Sequence, residues 1–258
     1  MPDAHPLISF IYPCFNRAWL FLTTLESFLV QHDPPPYEIL VLDDGSSDGL
    51  RQLVGSWRDR LPLRYLRLDV DRSGIPVIHG PDGSNNPAVA WNVGIREACA
   101  PYVAVSSPEV KHLLPTNVRR FAEWPAGDAD AVIADVYDAT WQATEFQGWI
   151  AGGVRQRPLP FLARYRRDRL LALGGFEEAF MVGRAYDDNE FADRWALSGG
   201  HYTFTGAAVQ AEHQSHARPD MPERDAVNRG VYERVRGQMV ANRDRVWGSA
   251  ACILERWE

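Results

Sequence analysis

The chain has 258 residues, of which 45% are hydrophobic and 24% are charged, so it has enough apolar residues to bury a core. This balance excludes a disordered, collagen-like or coiled-coil chain. The net charge of -7 gives no reason to expect a nucleic-acid partner or electrostatic attraction to an anionic membrane.

Strand-like and helix-like segments alternate along the first half of the chain. Apolar runs predict strands at residues 7–12, 38–42, 63–68 and 102–106, and helical stripes predict helices at 18–30, 50–57 and 87–98. Pro13 is predicted to end the first strand, and residues 69–87 are predicted to be an irregular loop. The alternation predicts a mainly parallel sheet with helices on both faces. Ligands bind at the carboxyl ends of such strands, so we expect the loops at 13–17, 43–48 and 107–109 to be neighbours.

The second half is less regular. We predict strands at residues 130–135, 160–163, 201–204 and 207–211, helices at 167–173, 187–198 and 225–244, and a loop or excursion over 140–157. The pairs Gly174-Gly175 and Gly199-Gly200 are typical helix stops. We find no internal repeat and no linker, which favours one domain.

The cysteines and the apolar runs indicate the compartment. Cys14, Cys99 and Cys252 lie far apart and form no Cys-x-x-Cys motif, so they predict neither disulfides nor a cysteine-based zinc site. No apolar run approaches the roughly 20 residues that cross a bilayer. Residues 1–6 also lack the features of a signal peptide. We expect a cytoplasmic protein without a membrane span, and contact with the inner face of a membrane stays open.

Several polar motifs carry more than one interpretation. Asp43-Asp44 follow an apolar strand, where carboxylates can contact a nucleoside or a metal, or can simply form a turn that caps the next helix. Asp187 and Asp188 begin a predicted helix, where acids suit the helix dipole or serve as a general base. The Arg-rich segment 218–245 can reach a diphosphate or an anionic acceptor, or can be a solvated helix face.

Four segments resemble family 2 glycosyltransferases with the GT-A fold. They are ISFIYPCFNR (8–17), EILVLDDGSSD (38–48), NPAVAWNVGIREACAPY (86–102) and GGFEEAFMVGRAYDDNEFADR (174–194), in the order seen in that family. The resemblance implies an α/β fold with a Rossmann-like, mostly parallel sheet flanked by helices and a less regular acceptor-side C-terminal half. We expect one domain over 1–258, with a nucleotide-sugar-binding half to about 110, an acceptor half to about 217 and a helical tail after it.

The resemblance assigns the donor site to residues at strand ends and on one helix: Pro13, Asn16, Arg17, Asp43, Asp44, Asn92, Gly94 and Ser107. Asp43 and Asp44 match the acidic pair that contacts the nucleoside, and which of the two contacts the base stays open. Asn92 and Gly94 match the N-x-G of the helix that flanks the sugar nucleotide.

The metal motif departs from the family pattern. The family carries D-x-D after the fourth strand, binding Mg²⁺ or Mn²⁺, whereas this chain has Ser107-Pro108-Glu109. Glu109 keeps the second acid, which implies a metal ligand, but one anionic ligand is lost and metal binding is weakened. Some relatives supply a histidine from the region of His213 and His216, and His213 is the metal-ligand candidate here. Surface histidines remain the alternative.

The resemblance also implies the chemistry. Asp188 matches the general base and Asp187 matches the residue that positions the acceptor, so an inverting transfer is implied, from a nucleoside-diphosphate sugar to an acceptor hydroxyl. A UDP-linked donor and Mn²⁺ or Mg²⁺ are favoured. The acceptor stays open between a carbohydrate, a lipid-linked sugar and a small molecule, and the oligomeric state cannot be read.

Two other functions compete with sugar transfer. Ser107 in place of an acid favours a sugar-nucleotide-binding or regulatory protein without turnover. A nucleotidyltransferase ranks last, because residues 13–17 contain no glycine for a phosphate-binding loop.

Overall fold

A computed structural model describes residues 5–68, 86–139, 144–149, 156–217 and 220–257. Its first half contains β1 (Ile8–Cys14), α1 (Ala18–Leu29), β2 (Tyr37–Asp43), α2 (Leu50–Trp57), β3 (Leu63–Leu68), α3 (Ala88–Glu97) and β4 (Tyr102–Ser106). Each predicted element of this half is confirmed. The predicted end of β1 at Pro13 was wrong. Although Pro13 lacks an amide donor, it lies opposite Leu42 within the ladder, and the strand continues to Cys14. Residues 69–85 of the predicted loop lie outside the described residues.

The second half contains more strands than the sequence predicted. The strands and α-helices of this half are β5 (Val110–His112), α4 (Asn117–Ala122), β6 (Asp130–Ile133), β7 (Asp135–Asp138), β8 (Thr144–Trp149), β9 (Gln156–Arg157), β10 (Leu162–Arg166), α5 (Arg167–Ala172), α6 (Asp187–Leu197), β11 (His201–Phe204), β12 (Gln210–His213), α7 (Pro222–Val235) and β13 (Ile253–Trp257).

Three predictions for this half were wrong. The strand over 130–135 is divided at Ala134, because β6 and β7 belong to different sheets. The predicted loop over 140–157 contains β8 and β9. The helix predicted to reach residue 244 ends at Val235, where the extended backbone of Arg236 and the positive φ of Gly237 stop it.

The main sheet has eight strands in the order β11-β6-β10-β4-β1-β2-β3-β13. β1 pairs in parallel with β2 and β4, and β2 pairs in parallel with β3, whereas β10 and β13 are antiparallel to their neighbours. A second sheet has the order β5-β12-β7-β8-β9. The predicted fold, a mostly parallel sheet flanked by helices, is confirmed.

Side chains of β1 alternate between two apolar cores. Phe10 and Tyr12 pack on the face covered by α1 and α2, while Ile11 packs on the opposite face against α3. On that second face, Arg194 of α6 forms a buried ion pair with Glu190, with N–O distances of 2.7 and 3.0 Å. Among the described residues, no helix has both the length and the apolar character that a bilayer crossing requires.

Candidate active site

The loops after β1 and β2 are joined by hydrogen bonds. The Asn16 amide donates to Ser46 Oγ at 3.0 Å, and the Ser47 amide donates to Asn16 Oδ1 at 2.8 Å. The Asp44 amide donates to the Cys14 carbonyl at 2.9 Å. The expected closeness of these loops is confirmed, and Asn16 serves here as the residue that joins them.

The aspartate of the second loop caps a different helix from the one predicted. Asp48 Oδ2 accepts the Ala18 amide at 2.7 Å, so it caps α1, whereas α2 begins after Gly49 without a side-chain cap. The carboxylate therefore reaches across to the neighbouring loop, which further fixes the two loops relative to each other.

A cavity of about 270 Å³ lies where the loops after β1 and β4 meet the start of α6. It brings together six residues that the sequence analysis selected: Pro13, Arg17, Ser107, Glu109, Asp187 and Asp188. Its walls also include Asn86, Trp91, Arg184 and Arg224. Such a concave site with acidic and basic side chains is the form expected of a small-molecule site.

Asp43 lies behind the cavity and is held by three donors. Its Oδ1 accepts the Ser46 amide at 2.7 Å, and its Oδ2 accepts from Tyr65 Oη and from Arg67 Nη1, the latter at 2.9 Å. Asp43 is fully buried and Asp44 is 7% exposed. Neither is among the cavity walls formed by the described residues, so their contact with a nucleoside stays a prediction.

Asn92 and Gly94 have a packing role in this structure, and their contact with the nucleotide stays a prediction. Asn92 is fully buried, donates to the Phe176 carbonyl and to Glu178, and accepts the Phe176 amide. A Cβ on Gly94 would lie 2.4 Å from Ile11 Cγ2. The N-x-G pattern therefore reports close packing of α3 on β1 and on the turn after Gly175.

Glu109, His213 and His216 form a compact cluster beside the cavity. Glu109 Oε1 lies 3.4 Å from His213 Nε2 and 3.6 Å from His216 Nε2, and one ligand atom from each residue falls within 4.8 Å of the others. Burial alone would raise the pKa of Glu109, but the two imidazoles outweigh it and hold that pKa well below its usual range. The donor set of two imidazoles and a carboxylate fits a divalent cation.

Asp187 and Asp188 begin α6 and differ in environment. Asp187 is 6% exposed and receives a hydrogen bond from the Asn86 side chain, whereas Asp188 is half-buried. Burial raises the pKa of Asp187 well above its usual range, and the neighbouring charge of Asp188 raises it further. The pair thus places one carboxyl that favours its neutral form beside another at the cavity wall.

The segment before these acids, residues 183–186, has an unusual backbone, and we name it the 183–186 loop. Ala185 and Tyr186 have φ angles of 61° and 68°, in the left-handed region that non-glycine residues rarely adopt. Such a conformation costs about 1–3 kcal/mol per residue and persists only where the surroundings hold it. These two residues set the direction in which α6 begins.

Side chains of helix α7 hold the 183–186 loop in place by hydrogen bonds and an ion pair. Asn228 Nδ2 donates to the carbonyls of Phe180 at 3.0 Å and Ala185 at 2.9 Å. Arg184 forms a two-point ion pair with Asp225, with both N–O distances 2.7 Å. Arg224 Nη2 donates to the Gly183 carbonyl at 3.0 Å, which completes the contact.

Sequence reasoning missed most of this support. Arg224 falls within the Arg-rich segment and lines the cavity, as one of the two interpretations of that segment allowed. Asn86, Arg184 and Asn228 were not singled out, because their roles depend on contacts between distant segments. A polar residue on an otherwise solvated helix carries no signal of such a contact.

Comparison with known proteins places the chain in a family. The family model described as Glycosyl transferase family 2 matches residues 9–187. This chain belongs to glycosyltransferase family 2. The matched residues contain every predicted site residue except Asp188 and His213.

Curated relatives match a shorter part of the chain. A validoxylamine A glucosyltransferase of Streptomyces hygroscopicus subsp. limoneus is 35% identical over 100 residues, which are 38% of this chain and 19% of that protein. A chondroitin synthase of Escherichia coli is 28% identical over 98 residues, which are 38% of this chain and 12% of that protein. The matches thus span a fifth or less of these relatives.

Solved structures with the same fold cover most of the chain. A mannosyltransferase from Pyrobaculum calidifontis, in complex with GDP-Man and Mn²⁺, superposes with a TM-score of 0.56 and 19% identity, covering 85% of this chain and 59% of that one. TarS from S. aureus, in complex with UDP-GlcNAc, superposes with a TM-score of 0.59 and 17% identity, covering 88% and 66%. At these identities the likeness establishes the fold.

Proposed function

We propose that the chain is an inverting glycosyltransferase that moves a sugar from a nucleoside diphosphate to an acceptor hydroxyl. One observation carries the proposal: a single cavity joins Glu109, part of a cation-type cluster, with the acids Asp187 and Asp188. A transfer of this kind needs a positive centre for the leaving diphosphate and a carboxylate for the acceptor proton. Family membership supports the same conclusion.

Glu109 and His213 would hold the divalent cation, with His216 beside them. When bound, the cation neutralises negative charge on the leaving diphosphate. Arg17, Arg184 and Arg224 line the same cavity and add positive charge around the phosphates. Asp43 and Asp44 contact the nucleoside, and a UDP-linked donor is favoured, as in the UDP-GlcNAc complex of TarS.

Asp188 acts as the base that takes the proton of the acceptor hydroxyl. It is the more exposed acid of the pair and lies at the cavity wall. The raised pKa of Asp187 favours the neutral form of that carboxyl, which lessens like-charge repulsion beside Asp188. The Asp187 carboxyl positions the acceptor by a hydrogen bond. Displacement occurs in one step, so no nucleophile of the protein is required.

Calorimetric titration with UDP, GDP and dTDP tests the donor site, each nucleotide with Mn²⁺ and again with EDTA. We expect one nucleotide to bind tightly in the presence of Mn²⁺. Binding of none of the three would contradict the proposal. Binding that is accompanied by no sugar transfer or donor hydrolysis would favour the sugar-nucleotide-binding protein without turnover.

Substitution of the base tests the mechanism. Asp188→Asn should lower kcat by about 10² to 10⁴, the range for loss of a general base, while nucleotide affinity is kept. Asn189→Ala, at the exposed next residue of α6, is the control and should transfer sugar normally. Unchanged turnover in Asp188→Asn would refute the assignment of the base.

A further inference from the structure

The cluster of Glu109, His213 and His216 has properties beyond those of a cation site completed by the nucleotide. We propose that these three residues bind a first-row transition-metal ion on their own, before any nucleotide, and that they select it over Mg²⁺. This inference rests on the proposed function, because it concerns the same cation.

The hydrogen bond of His216 fixes which ring nitrogen faces the cluster. His216 Nδ1 lies 2.8 Å from the Ala217 carbonyl, which can only accept, so Nδ1 carries the proton. The other ring nitrogen, Nε2, faces Glu109 and is the atom available to a metal ion. This is the arrangement of a metal-binding histidine, whose second nitrogen donates to a carbonyl and so orients the ring.

Nε2 of His216 lacks a hydrogen bond. It is buried and has no hydrogen-bond partner among the described residues, and its 3.6 Å separation from Glu109 Oε1 exceeds hydrogen-bond distance. An imidazole nitrogen and a carboxylate oxygen that face each other in a buried site need a proton or a metal ion between them. A cation in contact with both atoms satisfies them together.

The spacing of the ligand atoms fits one shared ion. Two ligands at about 2.1 Å from a common metal are about 3.0–3.4 Å apart at octahedral or tetrahedral angles. The separations of 3.4 and 3.6 Å from Glu109 Oε1 to the two imidazoles lie close to that span. The ligand atoms of the two imidazoles lie within 4.8 Å of each other, so the side chains would move inward to close on an ion.

The backbone around Glu109 and His213 is held by strand pairing and hydrogen bonds, and His216 follows β12 by three residues. β5 and β12 pair with Val110 opposite His213, so Glu109 and His213 lie at the same end of one ladder. The Gln214 amide and its side-chain Nε2 both donate to the Glu109 carbonyl, at 2.9 and 3.1 Å. Because these contacts lie within the protein itself, they position Glu109 and His213 without any contribution from a bound nucleotide.

The donor atoms determine which ion is preferred. Mg²⁺ selects oxygen ligands and keeps much of its water, whereas imidazole nitrogens suit first-row transition metals. Two nitrogens and one oxygen therefore discriminate against Mg²⁺. Loss of the acid at Ser107 acts in the same direction, because it removes an oxygen ligand that Mg²⁺ would use.

Cobalt titration of the untagged, nucleotide-free chain tests the proposal. Co²⁺ is followed by its visible absorption, with Mg²⁺ then added in about 100-fold excess. We expect saturation at one Co²⁺ per chain and no displacement by Mg²⁺. His216→Gln should weaken Co²⁺ binding by at least about tenfold. His201→Gln, an exposed histidine on β11, is the control and should bind as the unaltered chain does.

The outcomes separate this inference from the proposed function. Co²⁺ binding that needs UDP, displacement by Mg²⁺, or equal affinity in His216→Gln and His201→Gln would each overturn the inference while leaving a transferase possible. Tight Co²⁺ binding by a chain that binds no nucleotide would support the inference and contradict the proposed function. Circular dichroism of His216→Gln, whose ring is 12% exposed, verifies that the variant is folded.

Discussion

Asn228→Ala should show whether the contacts of α7 with the 183–186 loop are needed for turnover, because it changes no residue that is proposed to take part in the chemistry. The side chain is fully buried and donates two hydrogen bonds, to the Phe180 and Ala185 carbonyls. Alanine is a good helix former, so α7 itself should remain intact. The substitution therefore removes the hydrogen bonds of Asn228 to Phe180 and to the 183–186 loop without breaking the helix.

The expected loss follows from these contacts. Two hydrogen bonds contribute about 2–3 kcal/mol once the Phe180 and Ala185 carbonyls are left without their donor. The left-handed conformations of Ala185 and Tyr186 store about 2–6 kcal/mol, so the strain is as large as the contact that holds it. We expect the loop to relax and Asp187 and Asp188 to shift. A displacement of about 1 Å can lower turnover about 100-fold.

Denaturation, nucleotide titration and transfer kinetics together provide the assay. Asn228→Ala should lose up to about 2–3 kcal/mol of unfolding free energy, because relaxation of the strained loop offsets part of the loss, and most of its kcat. Nucleotide affinity should fall less than kcat. Val54→Ala is the matched control: this residue is fully buried on α2, and the change should cost about 1–3 kcal/mol without loss of kcat. If Asn228→Ala loses stability but keeps its kcat, the loop is not held in its active form by α7.

Three further predictions follow from contacts near the site and in the second core. Gly183→Ala places a Cβ 2.4 Å from Asn228 Oδ1 and 2.6 Å from the Arg224 carbonyl oxygen, so it should lower kcat, and its effect should shrink only in part in a chain that already carries Asn228→Ala. Folding raises the pKa of Asp187, so ionisation of that group opposes folding as the pH rises through the raised pKa. The free energy of unfolding of Asp187→Asn should therefore rise relative to that of the unaltered chain as the pH increases from about 4 to about 8. A difference that does not change with pH in urea denaturation would contradict this. Glu190→Gln leaves the buried Arg194 charge uncompensated and should cost about 3–5 kcal/mol by denaturation, whereas a loss under about 1 kcal/mol would indicate a solvated pair.

The sequence predicted the first half of the fold well because buried parallel strands and covering helices leave separate patterns. β3, α2 and β4 have the bounds that were predicted. The second half was harder. The apolar run over residues 130–135 gives no sign that the chain passes from one sheet to another at Ala134.

The site was predictable where it depends on strand ends. Loops that follow parallel strands must meet at one edge, and Pro13, Ser107 and Glu109 do line one cavity. The contacts of α7 were not predictable, since they join Asn228 to carbonyls 43 and 48 residues away. The packing contacts of Asn92 were not predicted, because a motif does not reveal whether an amide faces solvent or the core.

The pairing of β13 with β3 also bears on self-association. β3, with the sequence LRYLRL, would otherwise present unpaired amides and carbonyls along a six-residue strand. β13 covers that edge, and its Trp257 ring packs 4.5 Å from Tyr65, the residue that donates to Asp43. An uncovered strand edge is a template for pairing with other chains. Variants that detach β13 should therefore aggregate, and a loss of donor binding in them would be accompanied by a loss of solubility.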